Sequence, residues 1–171
     1  MSMVKYVLTL CLITWFALIA LMPKVAIYYK LEEQLHTQDI ALNEASAEEG
    51  LFTLELKNVS VYVKGIPIAS IEEVTIFTLL FYSSIEVKGV EIDDSLKHMV
   101  PKETEEALFR HSLLDPFSLS VEALGSFGAM QGSIDLKERN VYLDFNESKH
   151  IQMLQPKLQK SEKGWIYETS F

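Results

Sequence analysis

Four histidines, His36, His98, His111 and His150, are the side chains in this chain best suited to proton transfer or metal binding, and their spacing argues against both. A zinc site needs His or Cys ligands in close, regular intervals, and none of the four stands at such an interval from another or within a His-Glu-x-x-His pattern. His111 and Asp115 are four apart and would pair on a helix, but no serine sits in the Gly-x-Ser-x-Gly elbow that would complete a nucleophilic triad. The histidines therefore read as isolated surface residues.

The other chemistry-bearing patterns give way similarly. Gly125, Gly128 and Gly132 in ALGSFGAMQGS have the look of a phosphate-binding loop, yet no Lys-Ser/Thr follows and strands are expected on both sides, so they read as tight turns. The carboxylate pairs Glu72-Glu73, Asp93-Asp94 and Glu105-Glu106 read as solvated charge, because adjacent residues on a strand point to opposite faces. Asn146-Glu147-Ser148, with Asp144 two residues ahead, fits a glycosylation acceptor, which makes Asn146 a candidate modification site if the domain lies outside the cytoplasm. No catalytic residue, cofactor or metal is expected, and the chain reads as non-enzymatic.

What remains are the elements that would position a surface. The run from Tyr6 to Pro23, YVLTLCLITWFALIALMP, carries no charge and lies between Lys5 and Lys24. Its 17 residues from Tyr6 to Met22 would cover about 25 Å as a helix, slightly less than a bilayer core. No small-x-small cleavage site follows, and Cys11, preceded by Leu10, does not suit lipidation, so an uncleaved anchor is expected. Tyr6, Trp15 and Phe16 belong to this anchor. Pro23 should end or kink it, and Tyr28 and Tyr29 beyond it suit an interfacial aromatic belt. Beyond Pro23, Ile27, Leu31 and Leu35 at spacing four predict a short amphipathic extension.

Charge and cysteine usage bound the remainder. All 24 acidic side chains and 12 of the 15 basic ones lie from Leu31 onward, which argues against nucleic acid and broad adhesion to anionic lipid as partners. The single cysteine, Cys11, is in the apolar run, so the later residues hold no disulfide. Length allows one domain.

The expected organisation is a tail, anchor and flank over 1–30, an amphipathic and polar linker over 31–50, and an extracytoplasmic β-rich domain over 51–171. Apolar residues alternate through Phe52, Leu54, Leu56, Val59, Val61 and Val63, with a phase slip near Asn58, and through Ile85, Val87, Val90 and Ile92, with another at Gly89. Ile76, Phe77, Leu79, Leu80 and Phe81 form a nearly continuous apolar run, read as a buried strand or as a surface for a partner or lipid. Pro101 and the acids at Glu103, Glu105 and Glu106 predict a helix opening before Ala107. Lys137 to Asn140 reads as a hairpin turn, and a short helical piece is expected near Ile151 to Gln159. The fold class is mostly β (α+β): an N-terminal transmembrane helix, then an antiparallel sheet of six or seven strands with one apolar face and one or two short helices.

The order of a short tail, a span ending at Met22-Pro23, GLFTLELKNVSVYVKGIPIASIEEVTI over Gly50 to Ile76, and LGSFGAMQGSIDLKERNVYLDF over Leu124 to Phe145 resembles the type II secretion protein N group and the related AsmA-like proteins. The resemblance implies a single-pass inner-membrane protein of a Gram-negative envelope with a periplasmic sheet. Its implied partners are envelope proteins, for which it would be a scaffold or assembly component, or phospholipid, for which it would be a binding or transfer module. A short first tail favours an N-terminus in the cytoplasm with the following domain across the bilayer.

Overall fold

The computed structural model describes residues 2–79, 81–96, 101, 103–146, 158–161 and 164–170. Helix α1, Ser2–Ala20, is apolar around its whole circumference, with no charged residue after Lys5. It has no packed stripe, and Met3–Ala20 is long and apolar enough to cross a membrane. Leu21 and Met22 then turn the chain. Pro23, with no amide to donate, sits at the N-cap of helix α2, Lys24–His36, with φ −75°, so the expected break falls at this proline.

Among the described residues, eleven antiparallel strands form one sheet. In chain order they are β1 Ile40–Asn43, β2 Ser46–Glu49, β3 Thr53–Val63, β4 Ile66–Leu79, β5 Tyr82–Ile92, β6 Glu103–Ser112, β7 Asp115–Gly125, β8 Gly128–Asp135, β9 Asn140–Phe145, β10 Gln159–Ser161 and β11 Gly164–Ser170. Neighbouring strands follow chain order from β3 to β9, with β1 and β2 both on the outer side of β3, and β11 then β10 closing the far side. Such a meander of hairpins needs no crossover, because each turn returns the chain beside the strand it has just left. From β2 to β9 the turns alternate between two ends. One end, near the α1–α2 junction, carries the β2–β3, β4–β5, β6–β7 and β8–β9 turns; the other carries Lys64-Gly65, the stretch after Ile92, and Ser126-Phe127.

A crease runs across the strands. Asn58 in β3 and Gly89 in β5 have φ of 51° and 62°. By register both lie opposite Glu72 of β4, and Gly89 lies opposite Glu105 of β6, where the β6–β7 register also shifts. On the outer side the same line meets Glu44-Ala45, the break between β1 and β2, which otherwise keep one register along β3. A left-handed residue rotates the strand, so Leu56 and Val59 point to the same face although they are three apart. At Gly89 a side chain would also meet Glu72, since a Cβ would lie 2.5 Å from its carboxyl group. The phase slips read at Asn58 and Gly89 are therefore one feature.

Several expectations change. The segment from Glu103 to Ser112 is strand β6 and not a helix: paired with β5 and β7 on both sides, it satisfies its backbone through two ladders, which outweighs the modest helix-start preference of proline and acids. The sheet has eleven strands where six or seven were expected. It begins at Ile40, so the polar stretch around NEASAEEG is edge strand and turn, with Ala47 opposite Leu56. The piece expected near Ile151 to Gln159 lies outside the described residues up to Lys157; Gln159 opens β10.

Candidate apolar binding face

Cross-strand partners point to the same side of a sheet, and two adjacent rows of such partners are almost wholly apolar. One runs Leu54, Ile76, Ile85, Phe109, Val121, Gly132, Leu143, Tyr167. The next runs Ala47, Leu56, Val74, Val87, Ala107, Ala123, Met130, Phe145, Trp165. With about 4.8 Å between strands, the second row extends for about 38 Å.

Its two ends are covered. Over β1–β4 lies α2, whose buried Tyr28 packs with Leu54, Leu56 and Val59, flanked by Val25, Leu42, Ile71 and Val74. Over β7–β11, Phe127 folds back from its turn onto Phe145, with the rings edge to face at 6.2 Å, beside Met130, Leu143, Leu158 and Trp165. Between the clusters lies the apolar side of β5 and β6, with Ile85 40% exposed and Val87, Ala107 and Phe109 partly buried. At the α2 side the face continues into an apolar cavity of about 180 Å³ lined by Ile19, Met22, Ile27, Leu31, Leu54 and Ile76, with Lys24, Tyr28 and Thr78.

The junction beside this cavity is fixed by polar contacts. The Lys24 backbone amide donates to Glu49 Oε1 at 3.0 Å, and Lys24 Nζ donates to the Gly50 carbonyl at 3.2 Å. Tyr28 Oη donates to Glu44 Oε2 at 2.8 Å. Burial first, and then this bond to Glu44, hold the Tyr28 phenol well above its usual pKa. Phe16 of α1 meets Phe52 edge to face at 5.9 Å.

The opposite side of the sheet is the water-facing one. Arg110 grips Glu122 with two hydrogen bonds of 2.6 and 3.2 Å, and Lys88 lies 2.6 Å from Glu86 and 3.9 Å from Glu73. These carboxylate contacts raise the pKa of both cations. At the crease a furrow of about 380 Å³ collects Glu72, Glu91, Glu103 and Glu105; among the described residues no group of three His, Cys, Asp or Glu side chains is arranged to hold a metal ion.

The residues singled out by sequence distribute as follows. Tyr6, Trp15 and Phe16 lie exposed on α1, as does Cys11. Tyr28 is a core residue, 5% exposed, and not part of an interfacial belt, because the α2 face against the sheet is Val25, Tyr28, Glu32 and Leu35; Tyr29 stays exposed. Ile27 and Leu31 are exposed and line the cavity, so of the spacing-four stripe only Leu35 lies on the face that docks. The run from Ile76 to Phe81 is divided: Ile76 joins the apolar row, Phe77 points to the other face with its ring 6.2 Å from Tyr82, Leu79 ends β4, and Phe81 sits exposed in the turn. Leu80 is outside the described residues. Since β4 pairs with β3 and β5, this run is not a free strand edge.

Asn146 is exposed just after β9, its backbone amide donating to the Ala129 carbonyl, while Glu147 and Ser148 lie outside the described residues. His111 is on strand β6 with Nε2 3.1 Å from the Pro116 carbonyl, so it makes no helical pair with Asp115. His36 is exposed at the end of α2, and His98 and His150 are outside the described residues. Gly125 and Gly128 close the β7–β8 hairpin, Gly128 at φ 87°.

Of the exposed apolar turns gathered at the junction end, sequence reasoning named Phe81 but missed Leu51, Leu113 and Leu114. Their only sequence signal is apolar residues where turns are expected. Comparison with protein families, curated proteins and solved structures finds no match.

Proposed function

We propose that this is a single-pass membrane protein whose sheet shelters the acyl chains of phospholipid on its apolar face, as a lipid-binding or transfer module of AsmA-like type. The observation that carries this reading is the pair of apolar rows crossing the sheet, capped at both ends and open over Ile85 and Phe109. An apolar stretch left partly exposed between two covered ends is costly in water. A lipid chain covers it without demanding any directional polar contact. The apolar cavity at the foot of α1 joins the same face, giving chains a route from the bilayer side. In this reading α1 crosses the inner membrane with its N-terminus in the cytoplasm and the sheet in the periplasm; a C-terminal reporter active only outside the cytoplasm tests the side.

A photoreactive residue at Phe109, against a control at Glu86 on the water-facing side, tests the cargo. Ultraviolet irradiation of cells is expected to attach phospholipid at position 109 and not at 86. Attachment of protein alone at 109 would favour the second reading, a scaffold of an envelope machine. That reading is supported by the open meander, in which β10 pairs with β11 only among the described strands, and unpaired edges recruit other chains.

A further inference from the structure

The turns at the two ends of the sheet differ in kind. At the junction end, Leu51 is 62% exposed, Phe81 62%, Leu113 54% and Leu114 92%. At the other end the turns present Lys64-Gly65 and Asp93-Asp94-Ser95, and Phe127 is folded into the core. The apolar turns belong to three alternate hairpins, β2–β3, β4–β5 and β6–β7, and two of them are joined: the Leu113 amide donates to the Phe81 carbonyl at 3.0 Å, and Ser112 Oγ contacts the same oxygen at 3.4 Å.

These turns also stand beside the foot of α1. Phe52, adjoining Leu51, holds the ring of Phe16 and accepts the Thr78 amide at 2.9 Å. From β3 to β7 is four strand spacings, about 20 Å, so the three hairpin turns form a short apolar rim next to the helix that is long and apolar enough to cross a bilayer.

We infer that this rim is a second membrane contact: Leu51, Phe81, Leu113 and Leu114 enter the leaflet from which α1 emerges and stand the sheet upright on it. The chemistry is that of interfacial insertion, in which exposed aromatic and aliphatic tips reach the acyl boundary, about 5–10 Å deep, while charged neighbours stay at headgroup level. Asp115 limits the depth at the β6–β7 turn. At the next turn along this end, Lys137 and Arg139 flank Glu138, two cations suited to lipid phosphates. The rim does not depend on a lipid being carried, but it does rest on α1 crossing the bilayer.

The full chain with Cys11→Ser and Leu114→Cys, labelled with an environment-sensitive fluorophore and placed in nanodiscs of phosphatidylethanolamine and phosphatidylglycerol, tests it. Leu114 is almost fully exposed and Ser95, at the opposite end, is exposed too, so Ser95→Cys is a matched control that leaves the fold intact. The label at 114 is expected to emit to the blue of that at 95, to be quenched by lipid-borne nitroxide, and to be protected from aqueous iodide by about threefold or more. Equal iodide quenching at the two positions would overturn the rim while leaving the anchor standing. A chain that fails to co-elute with the nanodisc would overturn both.

Discussion

Tyr28 Oη donates to Glu44 Oε2 at 2.8 Å, joining helix α2 to the break between β1 and β2. That break lies on the crease, opposite Asn58 and Val59. The bond thus ties the helix that covers one end of the apolar face to the line along which the strands change phase. Tyr28→Phe keeps the ring among Leu54, Leu56 and Val59 but loses the bond, and is expected to destabilise by about 1 kcal/mol. Tyr28→Ala also empties the core and should cost about 3–5 kcal/mol. Urea denaturation in detergent, followed by tryptophan emission, measures both; equal losses for the two variants would mean that the ring contributes nothing.

The same phenol makes stability depend on alkaline pH. Its folded pKa lies above the ordinary tyrosine value of about 10, raised first by burial and then by Glu44. The folded state therefore holds this proton more tightly than the unfolded one. The contribution is complete below about pH 10 and is lost as pH rises beyond it. The stability gap between the wild type and Tyr28→Phe should narrow from pH 9 to pH 11; a gap that widens would contradict the assignment.

At the crease, Asn58 carries a left-handed backbone, φ 51°, in the middle of β3. Asn58→Gly should be neutral or slightly stabilising. Asn58→Val, branched at Cβ, should cost about 1–2 kcal/mol or more. Thermal unfolding of the pair separates conformational strain from loss of a polar group, since both substitutions remove the amide. Equal melting temperatures would show that the crease imposes no backbone demand.

The strands on which the apolar phase is unbroken or slips once were legible, because apolar residues two apart, as at Leu54 and Leu56 or Val121 and Ala123, are the direct imprint of a one-sided sheet. Even the slips at Asn58 and Gly89 showed in the pattern. That they align into one crease did not, since register is a relation between strands. Strand β6 was misread because the irregularity at Glu105 and the outward-facing Leu108 blur its alternation. Tyr28 was assigned to an interface because Glu32 interrupts the stripe it belongs to. The apolar rows and the rim of turns were hidden for a similar reason: each collects residues from distant parts of the chain, and only the meander makes them neighbours.

Only Leu21, Met22 and Pro23 separate α1 from α2, and Lys24 is bonded at once to Glu49 and Gly50. In the proposed reading, where α1 crosses a bilayer, the sheet has no leash on which to wander. Any lipid it held would stay within arm's length of one patch of membrane, so delivery to a distant site would require a relay of hands, each receiving from the last where it stands.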